Sequence, residues 1–199
     1  MRIETKDFYI RDLEEEDKDK LSDWTDFEDP IFYGYNYSDM TQDEKDLWYS
    51  MKRFPFRSKY FAVINQENHM IAFLGMKEIN RFLKSSKLGI VMDAKYVSQG
   101  LGKKIMQVYL DYYFNKKNMR KMTLEVNEWN SRALKLYKNL GFKKYSEYLQ
   151  KFENQKLDLS SKKYDEVRDS FVNSSGVLYS KIYKMTLSKK EYEELVDEN

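Results

Sequence analysis

The chain has 199 residues, enough for one domain with a substantial core and short for two. With 35 basic against 33 acidic residues the net charge is only +2, which argues against a general nucleic-acid binder and its concentrated basic face. Cysteine is absent, which excludes disulfides, thiolate metal sites and a cysteine nucleophile, and no apolar run reaches the roughly 20 residues needed to span a bilayer. The opening stretch from Met1 to Asp17 has no apolar leader, so the expected location is the cytoplasm.

In chain order, Phe8 to Arg11 reads as a short strand and Glu14 to Trp24 as a helix with Leu21 and Trp24 on its apolar side. An aromatic loop follows from Asp29 to Tyr37. Thr41 and Glu44 form a capping box, in which each side chain satisfies a backbone donor of the other, and open a helix carrying Leu47, Trp48 and Met51. Tyr60 to Ile64 and Met70 to Ile79 read as strands joined by a turn at Asn65 to Asn68, and Leu88 to Met92 as a third. The one histidine, His69, falls beside that turn and reads as a surface residue.

Leu101, Ile105, Val108, Tyr109 and Tyr112 recur at helical spacing up to Phe114, directly after the segment Tyr96 to Gly102. Lys121 to Val126 reads as a strand and Asn130 to Leu140 as a helix stopped by Gly141. Phe142 to Tyr148 and Val177 to Leu187 form a final strand pair around a polar insertion, 150–176, with a helix expected near Tyr164 to Val172. Ser188 and Glu191 make a second capping box, starting a terminal helix over 188–199. The mixture of strands and helices throughout indicates one α+β domain over 1–199.

Only seven glycines are present, and two of them, Gly100 and Gly102, sit one residue apart between a strand and a helix. The first turn of a helix has unpaired N–H groups and a partial positive charge, and glycines remove the Cβ atoms that would hold a ligand away from them. Such a junction can cradle a pyrophosphate without a metal, and Lys103 and Lys104 add positive charge. Taken alone, the pair fits an ordinary tight turn with close helix–sheet packing better than a phosphate site. Neither Gly-x-Gly-x-x-Gly nor the P-loop pattern is present.

The segment Val97-Ser-Gln-Gly-Leu-Gly102 resembles the acetyl-CoA pyrophosphate loop of the GNAT N-acetyltransferase superfamily, Gln/Arg-x-x-Gly-x-Gly/Ala, with Val97 in place of Gln/Arg. About thirty residues on, Leu124 to Phe142 resembles the second family motif, a strand followed by Asn-x-x-Ala, Leu-Tyr and Gly-Phe. The opening strand and helix, Phe8 to Trp24, resemble the start of the branch that contains ribosomal-protein and spermidine N-acetyltransferases. The resemblance implies a mixed central sheet, mostly antiparallel with a splayed parallel strand pair, flanked by helices. It implies that backbone groups of Met92, Asp93 and Ala94 bind the pantetheine arm of acetyl-CoA. By the same resemblance the N–H groups of Gln99, Gly100, Leu101, Gly102 and Lys103 hold the pyrophosphate, and Asn130 also contacts the cofactor. Tyr137 would stand near the thioester sulfur.

The implied reaction is acetyl transfer to a primary amine, direct within a ternary complex since no cysteine is available to carry the acetyl group. A phenol, with a reference pKa of about 10, is protonated at neutral pH and suits protonation of the departing thiolate. Relatives carry a Glu in the strand before the loop, but Lys87 to Met92 has none, which leaves Glu78 and Glu125 as candidate bases. Trp24, Tyr33 and Tyr35 fall where relatives shape the acceptor pocket. The expected acceptor is a small-molecule amine or polyamine. A peptide N-terminus or lysine, or a non-catalytic acyl-CoA-binding role, is the alternative. No metal, nucleic acid or membrane is expected as a partner, and the chain is expected to be a monomer or homodimer.

Overall fold

Nine strands form one sheet in the computed structural model, which describes residues 1–53 and 56–197. They are β1 (Arg2–Glu4), β2 (Phe8–Asp12), β3 (Lys59–Asn65), β4 (Met70–Asn80), β5 (Ser85–Met92), β6 (Lys121–Asn127), β7 (Lys143–Lys151), β8 (Phe171–Ser174) and β9 (Val177–Ser188). Their order is β1-β2-β3-β4-β5-β6-β9-β7, with β8 paired to the start of β9. Every pairing is antiparallel except β5 with β6, which run parallel from Ser85 to Leu88 against Lys121 to Leu124. Beyond Leu88 and Leu124 both strands continue unpaired with each other and part. This is the mixed sheet with a splayed parallel pair that the sequence implies.

Among the described residues four α-helices flank it: α1 (Gln42–Arg53), α2 (Leu101–Asp111), α3 (Ser131–Asn139) and α4 (Lys189–Asp197). Both expected capping boxes form. Thr41 and Ser188 each accept a hydrogen bond from the N–H of Glu44 and Glu191, and each glutamate accepts one in return from the cap residue's N–H. The terminal helix is described as far as Asp197, and the last two residues of the 188–199 expectation lie outside the described residues.

The main core lies between the sheet and α2, α3 and α4, where Ile105, Tyr109, Tyr113, Met122, Leu134 and Leu187 are buried. A second apolar cluster fills the opposite face under α1, with Leu21, Trp24, Trp48 and Phe73. Continuous burial on both faces accounts for the near-unbroken apolar reading of β3 and β4.

Three local expectations are corrected. Glu15–Asp23 is a run of tight 3-10 turns rather than an α-helix: only Asp17 and Leu21 are buried in it, too few apolar anchors for a continuous helical stripe. The insertion has no helix near Tyr164 to Val172; it forms single 3-10 turns at Lys162–Tyr164 and Arg168–Ser170 and then β8. Ser175 and Gly176 both take positive φ (51° and 78°), the two-residue turn that pairs Ser174 with Val177 and turns this segment into a hairpin. Finally, His69 is not a free surface residue, since its ring nitrogen lies 2.8 Å from the fully buried carboxylate of Asp93.

Candidate active site

Two cavities open where β5 and β6 part. The first, of about 230 Å³, runs from the loop after β5 along the outer end of that strand to α3. The second, of about 350 Å³, opens toward α1. Tyr35, Ile90, Val91, Asn130, Ala133 and Tyr137 line both, so the cavities meet along one wall.

At the outer end of the first cavity, the chain leaves β5 through a 3-10 turn, Ala94–Tyr96, and enters α2 at Gly100. Gly100 has φ +79°, and a Cβ added there would meet no atom within 4 Å. Glycine is therefore required by conformation, and the space above it is free for a ligand. Lys104 makes the first intrahelical bond, to the Gly100 carbonyl. Among the described residues the N–H groups of Gln99, Gly100, Leu101, Gly102 and Lys103 have no protein acceptor. The loop thus presents a row of unengaged donors at a helix N-terminus, with the Lys103 side chain at the cavity edge. Val97 and Ser98 form the adjoining wall, and the Gln99 amide folds back to the Lys95 carbonyl at 2.6 Å, bracing the loop.

Asp93 and Ala94 are placed differently from the expectation. The Asp93 N–H donates to the Ile71 carbonyl (3.1 Å) and the Ala94 N–H to that of Thr25 (3.3 Å), so neither is available to a ligand. The Asp93 carboxylate accepts from the N–H groups of Thr25 and Lys95 in addition to its contact with His69. Asp93 is a clasp that ties the end of β5 to β4 and to the residue after Trp24. Because successive residues of a strand turn their backbone groups to opposite sides, the Asp93 N–H on β4 leaves Ile90 and Met92 facing the splay. Met92 and Ile90 line the first cavity with open backbone edges.

Asn130 caps α3, its side-chain oxygen accepting from the Ala133 N–H at 3.1 Å. About two helical turns on, Tyr137 is 8% exposed, stands edge-on to Phe142, and has no hydrogen-bond partner for its hydroxyl among the described residues. Burial, with a smaller contribution from the nearby Tyr35, pushes its pKa well above the usual phenol value. Tyr35 is likewise pushed up by burial, opposed by hydrogen bonds with Asn127 and Asn130.

The aromatic loop divides. Tyr35 lines both cavities, as expected, but Trp24 and Tyr33 line neither. Trp24 is 4% exposed, stacks on Phe73, and donates its indole N–H to the Met70 carbonyl; it is a core residue. Tyr33 is 63% exposed and faces solvent. The loop is held by the insertion: Ile31 is buried in a cluster with Trp129, Phe152, Tyr164 and Phe171, and the Tyr164 hydroxyl donates to Asp29 at 2.6 Å.

Of the two candidate carboxylates, Glu125 lines the second cavity. Glu78 does not; it takes φ +54° at an irregularity in β4 and is exposed. Both pair with Lys87, at 2.5 Å for Glu78 and 3.2 Å for Glu125. The sequence reading missed Arg132, whose guanidinium lies in the first cavity over the rings of Phe27 and Phe32 (5.7 and 5.3 Å). It also missed Lys52 and Lys77, which line the second. No group of three His, Cys, Asp or Glu suited to a metal occurs among the described residues, and no helix among them is long and apolar enough to cross a membrane.

Comparison with known proteins gives the same frame. The spermidine N(1)-acetyltransferase of Escherichia coli K12 is 26% identical over 90 residues, covering 45% of this chain and 48% of that enzyme. The chain thus aligns with about half the length of that relative. The Vibrio cholerae spermidine N(1)-acetyltransferase is 23% identical over 136 residues, 68% of this chain and 75% of that enzyme. Among solved structures, the Vibrio cholerae spermidine N-acetyltransferase in complex with CoA and spermine superposes with a TM-score of 0.67 at 19% identity, covering 93% of this chain and 97% of that one. A chimera of that enzyme with hSSAT gives a TM-score of 0.68 at 20% identity over the same shares. Residues 7–142 match the acetyltransferase (GNAT) family, and this chain belongs to it.

Proposed function

We propose that this chain is an acetyl-CoA-dependent N-acetyltransferase that acts on a primary amine of a small molecule by direct transfer in a ternary complex. One observation carries the reading: the cavity that begins at the unengaged donors of residues 99–103 shares a wall with a second, polar cavity, and Tyr137 stands in that wall.

The residues fit the cofactor. The row of N–H groups at the α2 N-terminus suits a diphosphate, with Lys103 and Arg132 adding charge, and Val97 removes a side chain from a contact made mainly by backbone. The open edge of β5 at Ile90 and Met92 suits the amides of the pantetheine arm. The amine would enter from the second cavity. As the N–C bond forms and the C–S bond breaks, charge grows on the acetyl oxygen beside backbone donors of that edge. Tyr137 then gives its phenolic proton to the departing thiolate. Burial keeps the phenol protonated, and a thiolate released into the same dry space is a correspondingly stronger base. Glu125, the carboxylate that lines the second cavity, would take the proton lost by the amine, directly or through water.

The bounded volume of the second cavity favours a small acceptor over a protein surface, which needs an open groove. The Vibrio cholerae fold neighbour forms a complex with CoA and spermine, which supports a fold that takes both a CoA and an amine. The test is release of free thiol from acetyl-CoA by the purified chain against a panel of amines. We expect amine-dependent thiol release, one acetylated amine per thiol by mass spectrometry. Binding of CoA without thiol release for any amine would point instead to a non-catalytic acyl-CoA-binding role.

A further inference from the structure

The face of the sheet that floors the second cavity is set by register. Phe73, Gly75 and Lys77 on β4 stand opposite Val91, Gly89 and Lys87 on β5. The glycines matter because a Cβ on Gly75 would lie 2.5 Å from the Tyr60 ring, and one on Gly89 would lie 3.1 Å from the Lys77 ammonium nitrogen. Two missing side chains side by side leave a depression into which Tyr60 and Lys77 lie down. From above, α1 lowers Lys52 onto the same space, its ammonium 4.0 Å from the Trp48 ring, 5.2 Å from Phe73 and 5.5 Å from Tyr60.

The charge of this cavity is one-sided. Among the described residues three lysines line it, Lys52, Lys77 and Lys87, against one carboxylate, Glu125. Lys87 is neutralised by Glu125 and by Glu78 just outside. Lys52 and Lys77 form no ion pair among the described residues, although the charges of Glu125 and Glu78 reach Lys77. Both are half-buried; burial and then the Lys77 charge lower the pKa of Lys52, and burial and then Lys87 lower that of Lys77 against the opposing charges of Glu125 and Glu78. Two part-desolvated ammonium groups that feel each other's charge and have no ion-pair partner among the described residues are unfavourable in the empty fold and complementary to an anion placed between them. A polyamine entering the same space would bring further positive charge against them.

We propose that the acceptor is a primary amine that carries a carboxylate or phosphate group, bound through that anion by Lys52 and Lys77. This rests on the acetyltransferase reading and replaces the polyamine expected from sequence with an acceptor of opposite charge. Gly75 and Gly89 make the room, Lys77 and Lys52 hold the anion, and the amine end projects toward Tyr137 at the shared wall.

The test uses matched acceptors, O-phosphoethanolamine against ethanolamine and aspartate against its diamide, with spermidine and spermine alongside, in the thiol-release assay on the full chain. We expect the anionic member of each pair to have at least a tenfold higher kcat/KM, and Lys77→Met or Lys52→Gln to reduce that ratio about tenfold, with Lys77→Arg restoring it. Equal rates within pairs, polyamines as the better acceptors, or an unchanged ratio in both variants would overturn the proposal. Melting curves check folding, and if one variant does not fold the other decides. If no amine is acetylated, the acetyltransferase reading fails separately. Calorimetry of O-phosphoethanolamine and ethanolamine with the CoA-bound chain then decides the charge preference. Tighter binding of the phosphate-bearing probe, lost in Lys77→Met, supports the anion site, and equal or absent binding contradicts it.

Discussion

Gly75 and Gly89 face each other across β4 and β5, and the space their absent side chains leave is occupied on one side by the Tyr60 ring and on the other by the Lys77 ammonium. The two glycines are not equivalent. Gly89→Ala meets only the flexible end of a lysine, so the fold should tolerate it, while the displaced ammonium should lower kcat/KM for the acceptor without altering the KM for acetyl-CoA. Gly75→Ala drives a methyl group into an aromatic ring and should cost about 1–3 kcal/mol of stability. Melting temperatures and steady-state kinetics of the two variants separate these outcomes; equal destabilisation would contradict the asymmetry.

Tyr137→Phe keeps the ring and its contact with Phe142 and removes only the hydroxyl, which has no protein partner among the described residues to lose. Turnover should fall by about 10²–10⁴ while acetyl-CoA affinity stays within a few-fold of wild type. A wild-type kcat would remove the phenol from the proton transfer.

Gly100→Ala places a Cβ at φ +79°, which costs about 1–2 kcal/mol for an L-residue, and sets a methyl group among the donors of the cradle. The KM for acetyl-CoA should rise and the acceptor KM should not. A change confined to the acceptor would contradict the assignment of this loop.

Asp93→Ala should destabilise the fold by about 3–5 kcal/mol, because it leaves the Thr25 and Lys95 N–H groups and His69 without their shared buried acceptor. Denaturant titration measures it. A loss below about 1 kcal/mol would mean the clasp adds little to holding the end of β5.

Lys52 links stability to pH. Burial first, then the Lys77 charge, lowers its pKa to about 8. Its other charged or titratable surroundings are Lys87, Glu125 and the tyrosines at 35, 37, 60 and 137. Between pH 8 and about 10 the unfolded chain holds this proton and the folded chain releases it, so stability should rise with pH across that window. Below pH 8 both forms are protonated and the slope vanishes. The rise should be smaller in Lys52→Met, measured as the difference in unfolding free energy from wild type at each pH; identical slopes would place Lys52 in ordinary solvent.

What the sequence disclosed is what local chemistry determines. The loop before α2 and the helix from Asn130 are written in glycine spacing, caps and apolar period, and they fold as those signals say. Tyr35, Trp24 and Tyr33 lie within twelve residues of one another and share a chemical character, yet one lines the cavities, one is core and one faces solvent. That choice is made by the insertion and by β4, far away in sequence. Lys52 and Lys77 read as two of many solvated lysines, and only the register of β4 on β5, with α1 packed nearby, brings them to one cavity. His69 read as exposed because its partner, Asp93, arrives from the end of another strand. The 3-10 run at Glu15–Asp23 shows the reverse case, a helical spacing too polar to be held as an α-helix.

The central claim is that backbone donors at the start of α2 hold the cofactor beside Tyr137, and amide NMR of the labelled chain titrated with CoA tests it most directly. Saturable one-to-one shifts concentrated at residues 99–103 and at Ile90 to Met92 are the predicted result. Shifts centred elsewhere, or none at millimolar CoA, would contradict it.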